Sequence, residues 1–261
     1  MTRKVASELL RFRASDMTEP SKRSISWKRI AIALAIVFGL VFLLVTWFGP
    51  FYQARLMEET ESEVSPKPLP DVGIASEPTF RVERQGVSFG VPWDETDNSK
   101  KVNKSGMLIL ANGLGMSVSR PPNELDAVES LKGPTAAALR LELGDEALNS
   151  EFALISAAVS TRASDAKSWH SPIYNRKIAY LLSLKMWLVG FPEGPKQVPI
   201  YAFSEGRIRG FQVGDPKKER VVRLILFDEA GHECRIELLK FQGEISQPEI
   251  NALIASLQFK T

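Results

Sequence analysis

One cysteine, Cys234, and two histidines, His170 and His232, are all that 261 residues contain of these versatile ligands and nucleophiles. A single cysteine excludes an internal disulfide framework, and two histidines exclude a three-histidine zinc site within one chain. The chain also has no GxSxG, HExxH, CxxC or GxxxxGKS/T segment. That removes the common nucleophile elbow, zincin, dithiol and phosphate-loop arrangements, and no cofactor is implied. Charge of one sign is scarce too. The 33 Lys and Arg nearly balance 31 Asp and Glu, for a formal net charge of +2. There is no basic excess of the kind that nucleic-acid binding uses.

What is present is one long apolar run. Residues 30–48, IAIALAIVFGLVFLLVTWF, carry no charge, and the next charged side chain after Arg29 is Arg55. As a helix of ~1.5 Å rise per residue this run spans about 28 Å, close to the ~30 Å hydrocarbon core of a bilayer. It reads as a transmembrane signal anchor. Residues 1–29 hold eight Lys or Arg against three acids, a net of +5, whereas residues 49–78 hold Arg55 and Lys67 against six acids, a net of −4. Positive flanks stay cytoplasmic, so the expectation is a cytoplasmic N-terminus, an extracytoplasmic C-terminal part and residence in the inner or plasma membrane. Trp27 and Arg29 on one side, with Trp47, Phe48, Phe51 and Tyr52 on the other, supply side chains suited to the lipid–water interface. The competing reading is a cleaved signal peptide. Its apolar core is typically ~7–15 residues and ends in small residues, whereas this run ends in bulky rings.

Four segments follow: a basic tail (1–29), the anchor (30–48), an acidic and proline-rich linker (49–78) and a globular domain (79–261). In the tail, Val5, Leu9 and Phe12 recur at helical spacing among basic residues, but the segment is too short for a stable isolated helix, and a lipid-attracted disordered tail is the reading taken. In the linker, Glu58, Glu59, Glu61 and Glu63 precede Pro66, Pro68, Pro70 and Pro78. That composition predicts a solvated, extended spacer.

The remaining residues predict an α+β domain with a mostly antiparallel sheet packed by helices. Strands are expected over 80–84, 87–91, 107–111 and 114–118, the last two joined by Asn112-Gly113, a strong hairpin signal. Asn103-Lys104-Ser105 matches a glycosylation sequon, relevant only in a eukaryotic secretory route. Helices follow: one capped by Asn123 and stopped at Gly133-Pro134, one starting at Asp145 with Leu148, Phe152, Ile155 and Val159 in one stripe, and one over 172–189 with Pro172 at N1. The third is apolar almost all round apart from Arg176, Lys177 and Lys185, which predicts burial between the sheet and another helix. A period of two over 200–203, 207–213, 220–227 and 232–239 predicts a four-stranded meander. Ser246-Gln247-Pro248-Glu249 then forms a capping box for a last helix.

Chemistry-bearing residues are sparse. His232 and Cys234 alternate onto one face of a predicted strand, and Asp228 in the preceding turn could complete a metal or thiolate site. The plainer account is a hairpin turn with Cys234 as a small core residue. His170 precedes a helix start and reads as a loop or capping residue. Asp94-Glu95 beside Trp93 forms an adjacent acid pair whose side chains diverge on an extended segment. Trp187, Phe191 and Pro192 form a candidate docking knob, because an aromatic held by prolines loses little entropy on binding; a plain connector is the alternative.

The order of elements resembles PsbP/Mog1-like domains. An early strand ends in Val91-Pro92-Trp93, and a late meander leads to a short helix ending INALIASLQF, mainly within residues 199–259. The resemblance is topological, without a diagnostic catalytic motif, and implies a non-enzymatic accessory or binding module. The expectation is therefore a single-pass anchored accessory or scaffold protein that meets the lipid bilayer and binds another membrane or extracytoplasmic protein. A membrane-tethered enzyme, such as a hydrolase, or a ligand-binding domain is the alternative.

Overall fold

The computed structural model describes residues 27–56, 64–75, 80–93, 107–110, 113–122, 124–130, 134–189 and 198–259. The chain divides into two units, Met1–Val45 and Thr46–Thr261. Helix α1 (Trp27–Leu56) continues past the apolar run through Gly49 and Pro50. Within the first unit its side chains from 31 to 45 are all exposed, an arrangement that water penalises and lipid does not. The helix is long and apolar enough to cross a membrane.

In the second unit, the last turns of α1 pack on the protein. Ala54 is wholly buried and Phe51 partly so, in a cluster with Ala163, Ala166, Ile178, Ala179, Leu182 and Tyr174. Small alanines on both sides let the two backbones approach closely. The segment read as a free spacer is partly built into the fold: β1 (Lys67–Pro68) pairs in parallel with β6 (Ile200–Glu205). Leu69 N–H donates to the Ala202 carbonyl at 3.1 Å, and Asn251 Nδ2 donates to the carbonyls of Pro70 and Gly73, each at 3.1 Å. The physical reason is the open edge of β6, whose unpaired backbone groups a short strand satisfies; Pro68 is tolerated because the outer edge needs no donor. The acidic residues 57–63 lie outside the described residues, as do the tail 1–26 and the sequon.

The two strands expected over 80–91, β2 (Phe80–Arg84) and β3 (Val87–Val91), pair antiparallel as a hairpin. They belong to a separate three-stranded sheet, ordered β10-β3-β2, that also takes in β10 (Gln258–Phe259) from the end of the chain. β4 (Leu108–Ile109) and β5 (Leu114–Ser119) form the second hairpin, turning through Gly113 at φ 75°. Four helices follow: α2 (Glu124–Ser130), α3 (Pro134–Leu148), α4 (Glu151–Ser160) and α5 (Pro172–Val189). Pro134, read as a stop, opens α3 instead, since a proline at N1 lacks only a donor that would be unused there. The single helix expected from Asp145 is divided. Gly144 leaves helical geometry at φ 77°, and Ser150 caps α4 through a bond from Ala153 N–H at 3.1 Å. Leu148 thus sits before the cap, yet still packs in the same cluster as Phe152, Ile155 and Val159.

The meander forms as expected: β6, β7 (Ile208–Val213), β8 (Val221–Phe227) and β9 (Glu233–Lys240) are successively antiparallel. Helix α6 (Gln247–Ala255) follows, with Ser246 and Glu249 forming the capping box. The large sheet is mixed, in the order β1-β6-β7-β8-β9-β5-β4, with β1–β6 its parallel pair. Both faces are covered, and β8 shows how. Leu224 and Leu226 enter a core with Phe89, Leu253 and Leu257, while Ile225 and Phe227 enter a second core with Leu154, Leu181 and Leu188 from α4 and α5. The fold is α+β, with helices on one face of the large sheet and the small sheet with α6 on the other.

Lys185 is the exception within α5. It is only 1% exposed, and its ammonium donates to the Thr161 carbonyl at the end of α4 (2.8 Å) and to the Val64 carbonyl (2.5 Å). A buried lysine is tolerated where its donors meet carbonyls. This one ties the segment after α1 to the helical layer.

Candidate functional site

The first turn of β9 brings Glu233 and Arg235 to the helical face of the sheet, since residues two apart on a strand share a side. Across from them stand Glu151 at the start of α4, Glu124 at the start of α2 and two residues of α5, Tyr180 and Trp187. Each arrives for a local reason. Glu151 sits in the first turn of α4, where an acid suits the helix dipole. Its carboxylate accepts from Glu124 N–H at 2.9 Å and Leu125 N–H at 3.1 Å, so a wholly enclosed glutamate caps a neighbouring helix. Tyr180 and Trp187 lie seven residues apart, two helical turns, and so share a side of α5.

Glu233 thus has Arg235 as its ion-pair partner, with the charges of Glu151 and Glu124 near enough to act on it. Arg235 donates to Glu233, and its guanidinium lies 4.0 Å from the centroid of the Trp187 ring. Burial pushes Glu233 up to about 7; Glu151 and Glu124 push the same way, and the hydrogen bond and charge of Arg235 only partly offset them. Glu124 is raised by burial and by Glu151, against Arg235. Tyr180 is raised to about 12 by burial and by the same two glutamates, so it is a neutral hydroxyl at ordinary pH. Glu233 Oε2 and Arg235 Nη2 are both buried without a hydrogen-bond partner. The arrangement holds a carboxyl that exchanges its proton near neutrality beneath a half-exposed tryptophan.

Of the residues singled out in the sequence, Trp187 joins this site, 47% exposed with Arg235 stacked on its ring. Phe191 and Pro192 lie outside the described residues, as do Asp94 and Glu95. The His232, Cys234 and Asp228 grouping separates. Cys234 is wholly buried in the core beside Ile236 and Leu238, where burial pushes its thiol up to about 12. His232 lies in the exposed turn before the strand proper, so strand alternation does not carry it inward. It instead pairs with Asp228 through Nδ1 at 2.8 Å, and its N–H donates to Asp228 Oδ1 at 2.8 Å. Burial alone would raise Asp228, but bonds from the His232 side chain and backbone, its charge and the Ala230 amide together lower it. Among the described residues no group of three or more His, Cys, Asp or Glu is placed to hold a metal ion. His170 is a loop residue whose ring meets Tyr174 edge-on at 4.5 Å. Of the proposed interface residues, Trp27, Trp47 and Tyr52 are exposed, and Phe48 and Phe51 half-buried.

Glu151 and Glu233 escaped the sequence reading. Glu151 follows Ser150, a recognisable cap, but nothing in the sequence shows that its carboxylate reaches a second helix. Glu233 lies between His232 and Cys234, and nothing in the sequence shows that its partner is Arg235, two residues on.

A separate cavity of about 480 Å³ opens where the β6–β7 and β8–β9 turns meet the end of α6, lined by Arg207, Asp228, Glu229, Ile254, Leu257 and Phe259 among others. Within its lining Arg207 pairs with Glu229 at 3.6 Å, while Asp228 is bonded to His232 and Gln258 to Arg81 outside it. No family model, curated protein or solved structure matches this chain.

Proposed function

We propose that this is a single-pass membrane protein, anchored by α1 with its N-terminus in the cytoplasm, whose extracytoplasmic head acts as an accessory or scaffold module that binds a protein partner. One observation carries the binding reading. Trp187 stands half exposed at the head surface and is held in place by Arg235, which is itself fixed by Glu233. Tryptophan and arginine dominate binding hot spots, because a pre-ordered ring offers much contact area for little loss of entropy. The exposed apolar length of α1 and the +5 and −4 flanks support the anchor and its orientation. The topological resemblance to PsbP/Mog1-like domains points toward the same accessory role.

The test places a photo-crosslinking amino acid at Ser183, exposed one helical turn before Trp187, in the full-length chain in its native membrane. A discrete crosslinked protein is expected, with capture through the wild-type surface reduced at least tenfold by Trp187→Ala, a loss of about 1.4 kcal/mol or more. A chain that crosslinks to nothing, or whose captured proteins are indifferent to Trp187→Ala, defeats the reading. Resistance of the wild-type chain to alkaline carbonate extraction checks the anchor separately.

A further inference from the structure

Trp169 is 76% exposed, and among the described residues of the second unit no aromatic side chain is more so. It stands on an ordered support. Asn175, 1% exposed, accepts from Lys167 N–H at 3.2 Å and donates to the Lys167 carbonyl at 2.9 Å, while His170 N–H donates to that same carbonyl at 3.1 Å. A large apolar ring held out into water by a braced loop incurs a solvation cost that the fold does not offset locally.

Its neighbours indicate what covers it. His170 meets the Trp169 ring at 6.0 Å and the Tyr174 ring at 4.5 Å, and Tyr174 packs in the same cluster as Phe51 and Ala54 of α1. Phe51 in turn meets Tyr52 edge-on at 5.4 Å. Trp169 is therefore continuous with the aromatic end of α1, the part that the anchored reading places at the lipid–water boundary. Lys167 and Arg176 flank the loop with charge that suits phosphate-bearing headgroups, whereas Lys177 is paired with Glu142 and Arg162 donates to Ser65.

Resting on the anchored reading above, we infer that residues 167–174 form a second membrane contact, with Trp169 seated among phospholipid headgroups. Tryptophan prefers this layer because its ring is apolar while its N–H keeps a polar partner. Tyr174 and Phe51 pack against the same alanine-rich cluster, which holds the loop beside that end of α1.

The experiment labels Ser168→Cys, an exposed neighbour, with a nitroxide in the full-length chain in nanodiscs of phosphatidylcholine and phosphatidylglycerol. Cys234 is wholly buried and does not compete for the label. Collision with oxygen, which concentrates in lipid, is compared with collision by a water-soluble nickel chelate. Phe42→Cys reports the anchor, and Glu229→Cys, on an exposed turn, reports open water. The expected result is an oxygen-to-nickel ratio at position 168 several-fold above that at 229, lowered toward it when Trp169→Ser is added. If position 168 matches position 229 while position 42 reads as hydrocarbon, the contact is overturned and the anchor stands. Shielding of position 168 from both colliders marks a protein cover and also overturns it. If position 42 reads as water, the anchored reading fails and this inference fails with it.

Discussion

Glu233 concentrates the electrostatics of the head. Its carboxyl is held up to about 7 in the folded chain, above the ordinary value near 4.5, so between these values the folded state keeps a proton that the unfolded state releases. Stability from this group is therefore greatest below about pH 4.5 and is lost as pH rises toward about 7, with a slope of at most about 1.4 kcal/mol per pH unit. Asp228 acts in the opposite sense: its lowered value contributes stability above the ordinary aspartate range that is lost on acidification. Urea titrations of wild type and Glu233→Gln at several pH values separate the two. The difference between the curves should fall across the window from about 4.5 to 7, and a difference independent of pH would refute the assignment. Lys185 makes a second residue-scale prediction. Lys185→Met leaves the Thr161 and Val64 carbonyls without their ammonium donor and should cost about 1–3 kcal/mol. Faster proteolytic nicking near residue 64 should accompany that loss, because one of the two bonds holds that segment.

Among the elements, the meander is the most constrained by backbone packing. At Gly210, in the middle of β7, a Cβ would lie 2.1 Å from the Ile225 carbonyl oxygen of β8. Gly210→Ala must push two central strands apart, with an expected loss of roughly 1–3 kcal/mol in chemical denaturation. A neutral result would show that the strands can separate at that point. The meander was also the most legible element in the sequence, because alternation of Cys234, Ile236 and Leu238 with Arg235 and Glu237 states both the period and the buried face. The helical region was legible only in part. The stripe from Leu148 to Val159 is real as a packed surface, but the cap at Ser150 cuts the chain that carries it, and periodicity does not register a break that keeps the stripe in phase. The site was less legible still. Trp187 was found as an aromatic near prolines, whereas Arg235, Glu151 and Glu124 join it only through packing between separate elements.

For the whole molecule, the boundary of the head is the consequential finding. Residues read as a spacer contribute Phe51 and Ala54 to one cluster, Leu69 to the core beneath the sheet, and β1 to its edge. A soluble head beginning at residue 79 lacks all of these and exposes Ala163, Ala166, Ile178 and Leu182. It should melt at lower temperature and aggregate more readily than a head beginning at residue 46. Comparing the two by differential scanning fluorimetry and light scattering tests this, and equal behaviour would show that the packed segment is dispensable.

The sequence by itself determined the apolar helix, its charge asymmetry, the α+β class and the antiparallel meander. Each is written in composition or in short-range periodicity, where neighbouring residues suffice. Tertiary structure alone decided that the proline-rich segment closes a sheet edge, that the first hairpin joins a separate sheet with the end of the chain, and that Arg235 links Glu233 to Trp187. Those outcomes depend on which distant surfaces meet, through backbone edges and buried charges that no local pattern records. They place Phe51, Ala54, Leu69 and the strand Lys67–Pro68 within the packed head itself.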